Sequence, residues 1–340
     1  MKKFLSLISC FIFISLVAIA QQDELLFDSD EILEVSMKFS VKKLRNETND
    51  STLLDSYLIY KNTDGSQDTL DVGLRVRGNF RRENCFYPPV RMRLKKREGK
   101  GNIFDGSRNL KIVFPCATNK NADSFIVKEY LCYQLYEEVS QYTFKTRMIR
   151  VNFQNEDDKK GRTEQFLGFL IEDDDKVAER FDAEVLENKK VAGTFLEDTA
   201  AVRHDLFQYM IGNTDWSSLY QHNMKILKLD SKTAIPLAYD FDMTGMVKPP
   251  YAQVSSLVDI DDVSQRLYRG FCRDEALMKT IRDEFLSKEQ LLFDHIQQLA
   301  HLVPDQEVKN MTTYLKEFFV VLKDDRLFEI NILSACRTSE

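Results

Sequence analysis

The chain has 340 residues, of which 43% are hydrophobic and 30% charged, and its formal net charge is −7. That length suits one large two-lobed domain or two ordinary ones. The acidic balance argues against a general nucleic-acid binder, which carries a basic stripe, so no nucleic-acid partner is expected.

The chain opens MKKFLSLISCFIFISLVAIAQQ: two lysines, an apolar run, then Ala18-Ile19-Ala20. This is the order of a secretory signal peptide, with cleavage expected after Ala20. The apolar run is marginal for a membrane span. No later stretch is apolar enough to cross a bilayer, so the mature chain is expected to carry no transmembrane segment and to be secreted or to reside in the periplasm or cell envelope. Loss of Lys2 and Lys3 takes the charge from −7 to −9. Within that acidic chain, residues 75–97, RVRGNFRRENCFYPPVRMRLKKR, are strongly basic, and such a patch can hold an anionic ligand locally. Cys85, Cys116, Cys132, Cys272 and Cys336 follow the cleavage point. In an oxidising compartment some should pair. Cys85 and Cys116 both flank predicted strands and are the favoured pair. Cys132 falls on an amphipathic helix and is expected to be a buried thiol. No His/Cys cluster has zinc spacing.

Residues 21–50 contain one amphipathic strand, ILEVSMKFSV. Two strands follow around the turn NTDGSQ, and the second alternates Val72, Leu74 and Val76 with Gly73, Arg75 and Arg77, the period of a half-buried strand. VRMRLKK and NLKIVFP are further strands. DSFIVKEYLCYQLYEEVS changes to a helical period, with Asp123 or Ser124 as the N-cap. TRMIRVNF and EQFLGFLIED form a strand pair. From about residue 173 the character is helical: DKVAERF, DTAAVRHDLFQYMIG, RDEALMKTIRDEFLSKEQLLFDHIQQLAHLV and DQEVKNMTTYLKEFFVVLKDD, with the short strands MKILKL and IPLAYDF inside. The expected organisation is a signal peptide over 1–20, a strand-rich N-terminal lobe over 21–172, and a helix-rich C-terminal lobe over 173–340 that carries the metal and catalytic loops.

Chemistry concentrates in GNTDWSSLYQHNMKI (212–226) and LAYDFDMTG (237–245). A helix ends at Gly212, a suitable residue after a helix C-terminus. A loop with Asp215, His222 and Asn223 follows, then a hairpin that ends at Asp240. Phosphoryl-transfer enzymes use this order: one Asp orients or deprotonates the acceptor, while an Asn and a second Asp hold Mg²⁺ against phosphates. The spacing departs from the usual protein-kinase signature, since Asp215 and Asn223 are eight apart and DFD replaces D-F-G. His222 is expected to orient the loop. In the first half, Lys111 on a strand and Glu129 on the next helix match a cation held by a carboxylate over the phosphates. Arg77, Gly78 and Arg81, with Arg82, form a basic turn that could cover phosphates, Gly78 permitting close approach.

In order along the chain, RVRGNFRRENCFYPPVRMRLKK, RNLKIVFPCATNKNADSFIVKEYLCYQL, LGFLIEDDDKVAERF, HNMKIL and AYDFDMTG resemble the CotH-like family of spore-coat, secreted, atypical kinases over residues 70–247. PLAYDF also resembles HipA-type kinases. The resemblance implies an α+β, two-lobed protein-kinase-like fold that uses ATP and Mg²⁺ or Mn²⁺. It implies Asp215 as the catalytic carboxylate, with Asp240 and Asn223 as metal ligands. The Lys-rich stretch of the family is replaced here by Pro88-Pro89-Val90-Arg91, so Arg91 or Lys95 is an alternative to Lys111. The expected function is an ATP-dependent phosphotransferase acting on a protein or cell-envelope acceptor. The alternatives are a catalytically inactive kinase-like module that binds through the basic RGNFRR face, and, last, a two-metal hydrolase.

Overall fold

The computed structural model describes residues 25–338, apart from 63, 79, 188, 256 and 257. The proposed signal peptide lies outside the described residues. Seven strands make up the first sheet: β1 (Leu33–Phe39), β2 (Leu54–Lys61), β3 (Gln67–Val76), β4 (Val90–Leu94), β5 (Asn109–Val113), β6 (Thr146–Asn155) and β7 (Thr163–Ile171). They close into a barrel in the order β1-β2-β3-β4-β5-β7-β6. Val35, Leu58, Leu74, Met92, Ile112 and Val151 share its buried interior. Neighbours are antiparallel except at the closure, where β1 runs parallel to β6 and Leu33, Val35 and Met37 face Ile149, Val151 and Phe153.

This closure corrects the fold expected from the sequence. The chain does not adopt a typical two-lobed protein-kinase-like fold; it forms a closed mixed barrel with a smaller sheet and helices beside it. Period-2 patterning identifies strands, but it does not say which distant strand satisfies the backbone groups along an edge. Here β6 covers the free edge of β1 from more than a hundred residues away.

The helices begin with α1 (Val41–Glu47), where Ser40 Oγ caps the Lys43 amide, and α2 (Phe80–Asn84), which forms where only a turn was expected. α3 (Ala122–Val139) starts from Asn121 rather than from Asp123 or Ser124. The Asp123 carboxylate instead accepts from the Leu167 amide of β7 at 3.1 Å. α4 (Asp174–Arg180) is capped by Asp173. β8 (Glu184–Val185), β9 (Met224–Lys228) and β10 (Ala234–Ala238) form the second sheet, ordered β10-β9-β8. α5 (Asp198–Ile211) ends at Gly212, left-handed at φ 65°. The long helical run beyond residue 273 divides into α6 (Glu275–Ser287) and α7 (Glu289–Leu299), followed by α8 (Asp305–Lys323) and α9 (Asp325–Phe328). α3 packs on β6 and β7 with one side and on α5 and α7 with the other. It is therefore buried almost all round, Lys128 and Glu129 included, and it joins the barrel to the helical part.

Cys85 and Cys116 are bonded as expected, and Cys272 bonds Cys336. Cys132 is a buried free thiol. The first bond, with a Phe86 N–H to Cys116 carbonyl hydrogen bond of 2.7 Å, fastens the end of α2 beside the segment after β5. No helix among the described residues is long and apolar enough to cross a membrane.

Candidate functional site

The β3–α2–β4 turn faces the loops on either side of the β9–β10 hairpin across a cleft of about 330 Å³. Arg77, Gly78, Arg81, Asp215, Asn223 and Asp240 all line it. The fold thus assembles one site from segments more than a hundred residues apart.

The Asp215 loop is built by local hydrogen bonds. Gly212 takes the αL conformation, and its N–H donates back to the Gln208 and Tyr209 carbonyls. Asn213 Oδ1 accepts from the Asp215 amide at 3.0 Å. Ser217 and His222 exchange backbone hydrogen bonds of 3.0 Å, which closes the loop. His222 Nε2 then lies 3.2 Å from Asp215 Oδ1. Asn223 Nδ2 donates to the Asp215 carbonyl at 2.7 Å and to Oδ2 at 3.2 Å. The Asn223 amide is therefore oriented, and its Oδ1 is the end left to accept or to ligate. The His222 hydrogen bond, against the effect of burial, holds Asp215 below the usual carboxylate range. The same bond raises His222 above an ordinary imidazole.

Asp240 follows β10 directly. Its N–H donates to Tyr133 Oη of α3 at 3.0 Å. Its side chain makes no hydrogen bond or ion pair with any described residue. Of the six described non-glycine residues with positive φ, three line this cleft: Gln221 (50°), Asn223 (51°) and Asp240 (66°). Such backbone is costly for residues with a Cβ and collects where the surroundings impose it, often at functional sites. Here Tyr133 and the Tyr239 N–H to Asn223 carbonyl contact of 3.4 Å hold it.

Behind the cleft lies a buried charge cluster. Arg81 Nη1 is 3.3 Å from Glu129 Oε2 and Nε is 3.8 Å from Asp242 Oδ2, with the Arg81 and Glu129 side chains only 7% and 3% exposed. Arg81 Nη2 donates to the Phe114 carbonyl at 2.5 Å, and Tyr251 Oη donates to Asp242 at 3.3 Å. Burial raises both carboxyls above their usual range, repulsion from Asp240 adds to it, and Arg81 opposes it.

The expected Lys111–Glu129 pair does not form. Glu129 is taken by Arg81, while Lys111 points from the outer face of β5 to Asp174 at the start of α4. Lys111 sits 4.3 Å over the Phe144 ring, and burial lowers its proton affinity. Asp174 is shared with Lys225 at 3.4 Å. Arg91 pairs with Asp173 at 2.5 Å and Lys95 with Asp55 at 3.3 Å, and none of Lys111, Arg91 and Lys95 lines the cleft. RGNFRR also presents no continuous basic face, because Arg81 is buried while Arg82 is exposed. Arg77 is the available cation: its Nε is buried without a hydrogen-bond partner, and its guanidinium has no ion pair among the described residues.

Sequence reading did not anticipate the parts of Asp174, Tyr133 and Tyr251. Asp174 stood in an acidic helix start, and nothing local distinguishes it from Asp175, which is exposed. The described residues contain no group of three or more His, Cys, Asp or Glu side chains placed to hold a metal. A magnesium–phosphate complex needs only one or two protein carboxylates, since phosphate and water complete the shell; Asp240 and Asn223 Oδ1 are oxygen donors of the right kind. No family model matches this chain, and no curated protein matches it.

Proposed function

We propose that the cleft binds a divalent-metal complex of a phosphate ester, with ATP as the donor, and transfers the phosphoryl group to a protein or cell-envelope acceptor. One observation carries this reading: Arg77, whose Nε is buried without a hydrogen-bond partner, and the half-buried Asp240, whose side chain has no partner among the described residues, line the same cleft. Buried polar atoms such as Arg77 Nε are satisfied as a rule, and a carboxylate beside it offers a cation an oxygen ligand. A metal-bound phosphate would satisfy both at once, its oxygens meeting the arginine and its cation meeting the carboxylate. The resemblance of HNMKIL and AYDFDMTG to CotH-like kinases supports the same chemistry.

In this reading Asp240 and Asn223 Oδ1 hold Mg²⁺ or Mn²⁺, which neutralises charge on the phosphate oxygens when bound. Arg77 holds the oxygens of the transferring group. Gly78, at φ 72° with open space where a Cβ would stand, lets the backbone of the turn come close to the ligand. Asp215, kept ionised beside His222, would accept the proton of the acceptor hydroxyl as its oxygen bonds to the γ-phosphorus and the bond to the departing ADP breaks. Arg81, Glu129 and Asp242 keep the turn and the Asp240 loop at a fixed separation. The two disulfides are compatible with secretion.

Calorimetry of the purified protein with Mg-ATP and Mn-ATP, beside Asp240→Ala, tests the reading. Metal-dependent binding that the variant loses is expected. Absence of binding by the folded wild type rejects it.

A further inference from the structure

A second basic cavity, with no lining residue in common with the cleft, opens on the outer face of the barrel. It holds about 300 Å³ and is lined by Arg75, Arg91, Arg93, Asn109, Ser51 and Asp50, with Leu53 at its side. Strand register explains the arginines. Arg75 of β3 stands opposite Arg91 of β4, and Arg91 opposite Lys111 of β5, so three cations form one cross-strand row. Arg93 is diagonal to Arg75 and faces Gly73, which offers no side chain. Like charges directly opposite one another weaken a strand pair, so the row needs anions.

The protein supplies them unevenly. Lys111 has Asp174 and Arg91 has Asp173, and both carboxylates are largely buried. Arg75 has Asp50 at 2.7 Å, but the Asp50 side chain is 92% exposed, and such a pair contributes little. Arg93 is exposed and has no hydrogen bond or ion pair with any described residue. Burial, and the nearby Arg91 and Arg77, disfavour charge on Arg75, with Asp50 as its main counterweight. Two guanidiniums therefore line one concavity, and the one carboxylate that lines it with them, Asp50, is held only by Arg75 and is mostly exposed.

We infer that this cavity is a second anion site that takes a phosphate monoester dianion between Arg75 and Arg93. Planar guanidinium forks match tetrahedral oxyanions in pairs, and two of them balance a dianion once Asp50 swings out. Arg91 remains on Asp173. Ser51 and Asn109 add neutral hydrogen-bonding groups at the rim. The site does not depend on the cleft chemistry, since neither a metal nor Asp240 takes part.

The test is calorimetry of the purified protein in EDTA, which removes divalent metal from the cleft. The probes are inorganic phosphate, a hexose 6-phosphate, and vesicles containing phosphatidic acid, with acetate as the monoanionic control. Binding of at least one phosphate probe is expected, weakened at least tenfold in Arg93→Ala and in Arg75→Gln. Asp50→Ala should bind several-fold more tightly, and Arg162→Ala, at an exposed arginine between β6 and β7 that lines neither cavity, should bind like wild type. The probe that binds tightest identifies the source: free phosphate, a sugar phosphate or a lipid headgroup. Arg93 is exposed, so its variant folds as the parent does, and circular dichroism checks this. The inference is overturned if no phosphate probe binds, if acetate binds equally well, or if Arg77→Ala abolishes binding while Arg93→Ala keeps it.

Discussion

In Arg81→Met, Glu129 and Asp242 keep their burial and lose the guanidinium between them. Removing one partner of a buried ion pair costs about 3–5 kcal/mol, because the remaining charge is uncompensated. Loss of the hydrogen bond to the Phe114 carbonyl adds about 1 kcal/mol. For a domain of this size, a total of about 5 kcal/mol corresponds to a fall in Tm of roughly 10 °C or more. The cost must also depend on pH. Both carboxyls lie above the ordinary range in the folded protein because burial disfavours their charge. The folded state therefore binds these protons more tightly than the unfolded chain. This contribution to stability is full below the ordinary carboxylate range and is lost as pH rises through the folded values. Arg81 limits that loss, and without it the decline is steeper. Urea unfolding followed by the fluorescence of Trp216, the single tryptophan, should show a small deficit for Arg81→Met near pH 4–5 and its full size near pH 8. Glu129→Gln in the same chain should recover part of it. Arg82→Met, at an exposed neighbour, should stay within about 0.5 kcal/mol of wild type. If Arg81→Met costs no more than Arg82→Met at the higher pH, or if its cost does not shrink on acidification, the buried-cluster reasoning is wrong.

Other outcomes follow from single contacts. The His222 imidazole should titrate above the ordinary histidine value in an NMR titration and fall back in Asp215→Asn. Its folded pKa is raised, so the pair's contribution is full below about pH 6.5 and is lost as pH rises through the folded value, while Asp215, held low, loses its share only in acid. Mass mapping should find Cys85–Cys116 and Cys272–Cys336 bonded and Cys132 free; removing the second bond, which spans 64 residues, should lower unfolding stability by about 2–5 kcal/mol. Gly212→Ala should destabilise by about 1–3 kcal/mol in chemical denaturation, since φ is 65° and a Cβ would stand 1.9 Å from Tyr314 Oη. Asp174→Asn should destabilise by about 3–5 kcal/mol, because Lys111 is buried against it.

Local physics made much of this molecule legible from its residues alone. The alternation of Val72, Leu74 and Val76 with Gly73, Arg75 and Arg77 is a property of three consecutive pairs, and β3 follows it. Gly212 stops α5 because a left-handed residue is needed just there. The Cys85–Cys116 bond joins the end of α2 to the segment after β5; the pairing was readable because both cysteines flank strands visible in the sequence. The order Arg77, Asp215, Asn223, Asp240 could be read along the chain, and the fold gathers these residues into one cleft. Tertiary structure alone decided how the sheet closes, because hydrogen-bonding edges carry no sequence label and β1 and β6 meet only in space. It also decided the ion pairs. A lysine on a strand and a glutamate on the next helix look matched in sequence, but Lys111 leaves the outer face of β5 toward α4, and α2 delivers Arg81 to Glu129 first. A buried charge takes the opposite charge that packing brings within a few ångströms, and packing is set by the whole chain.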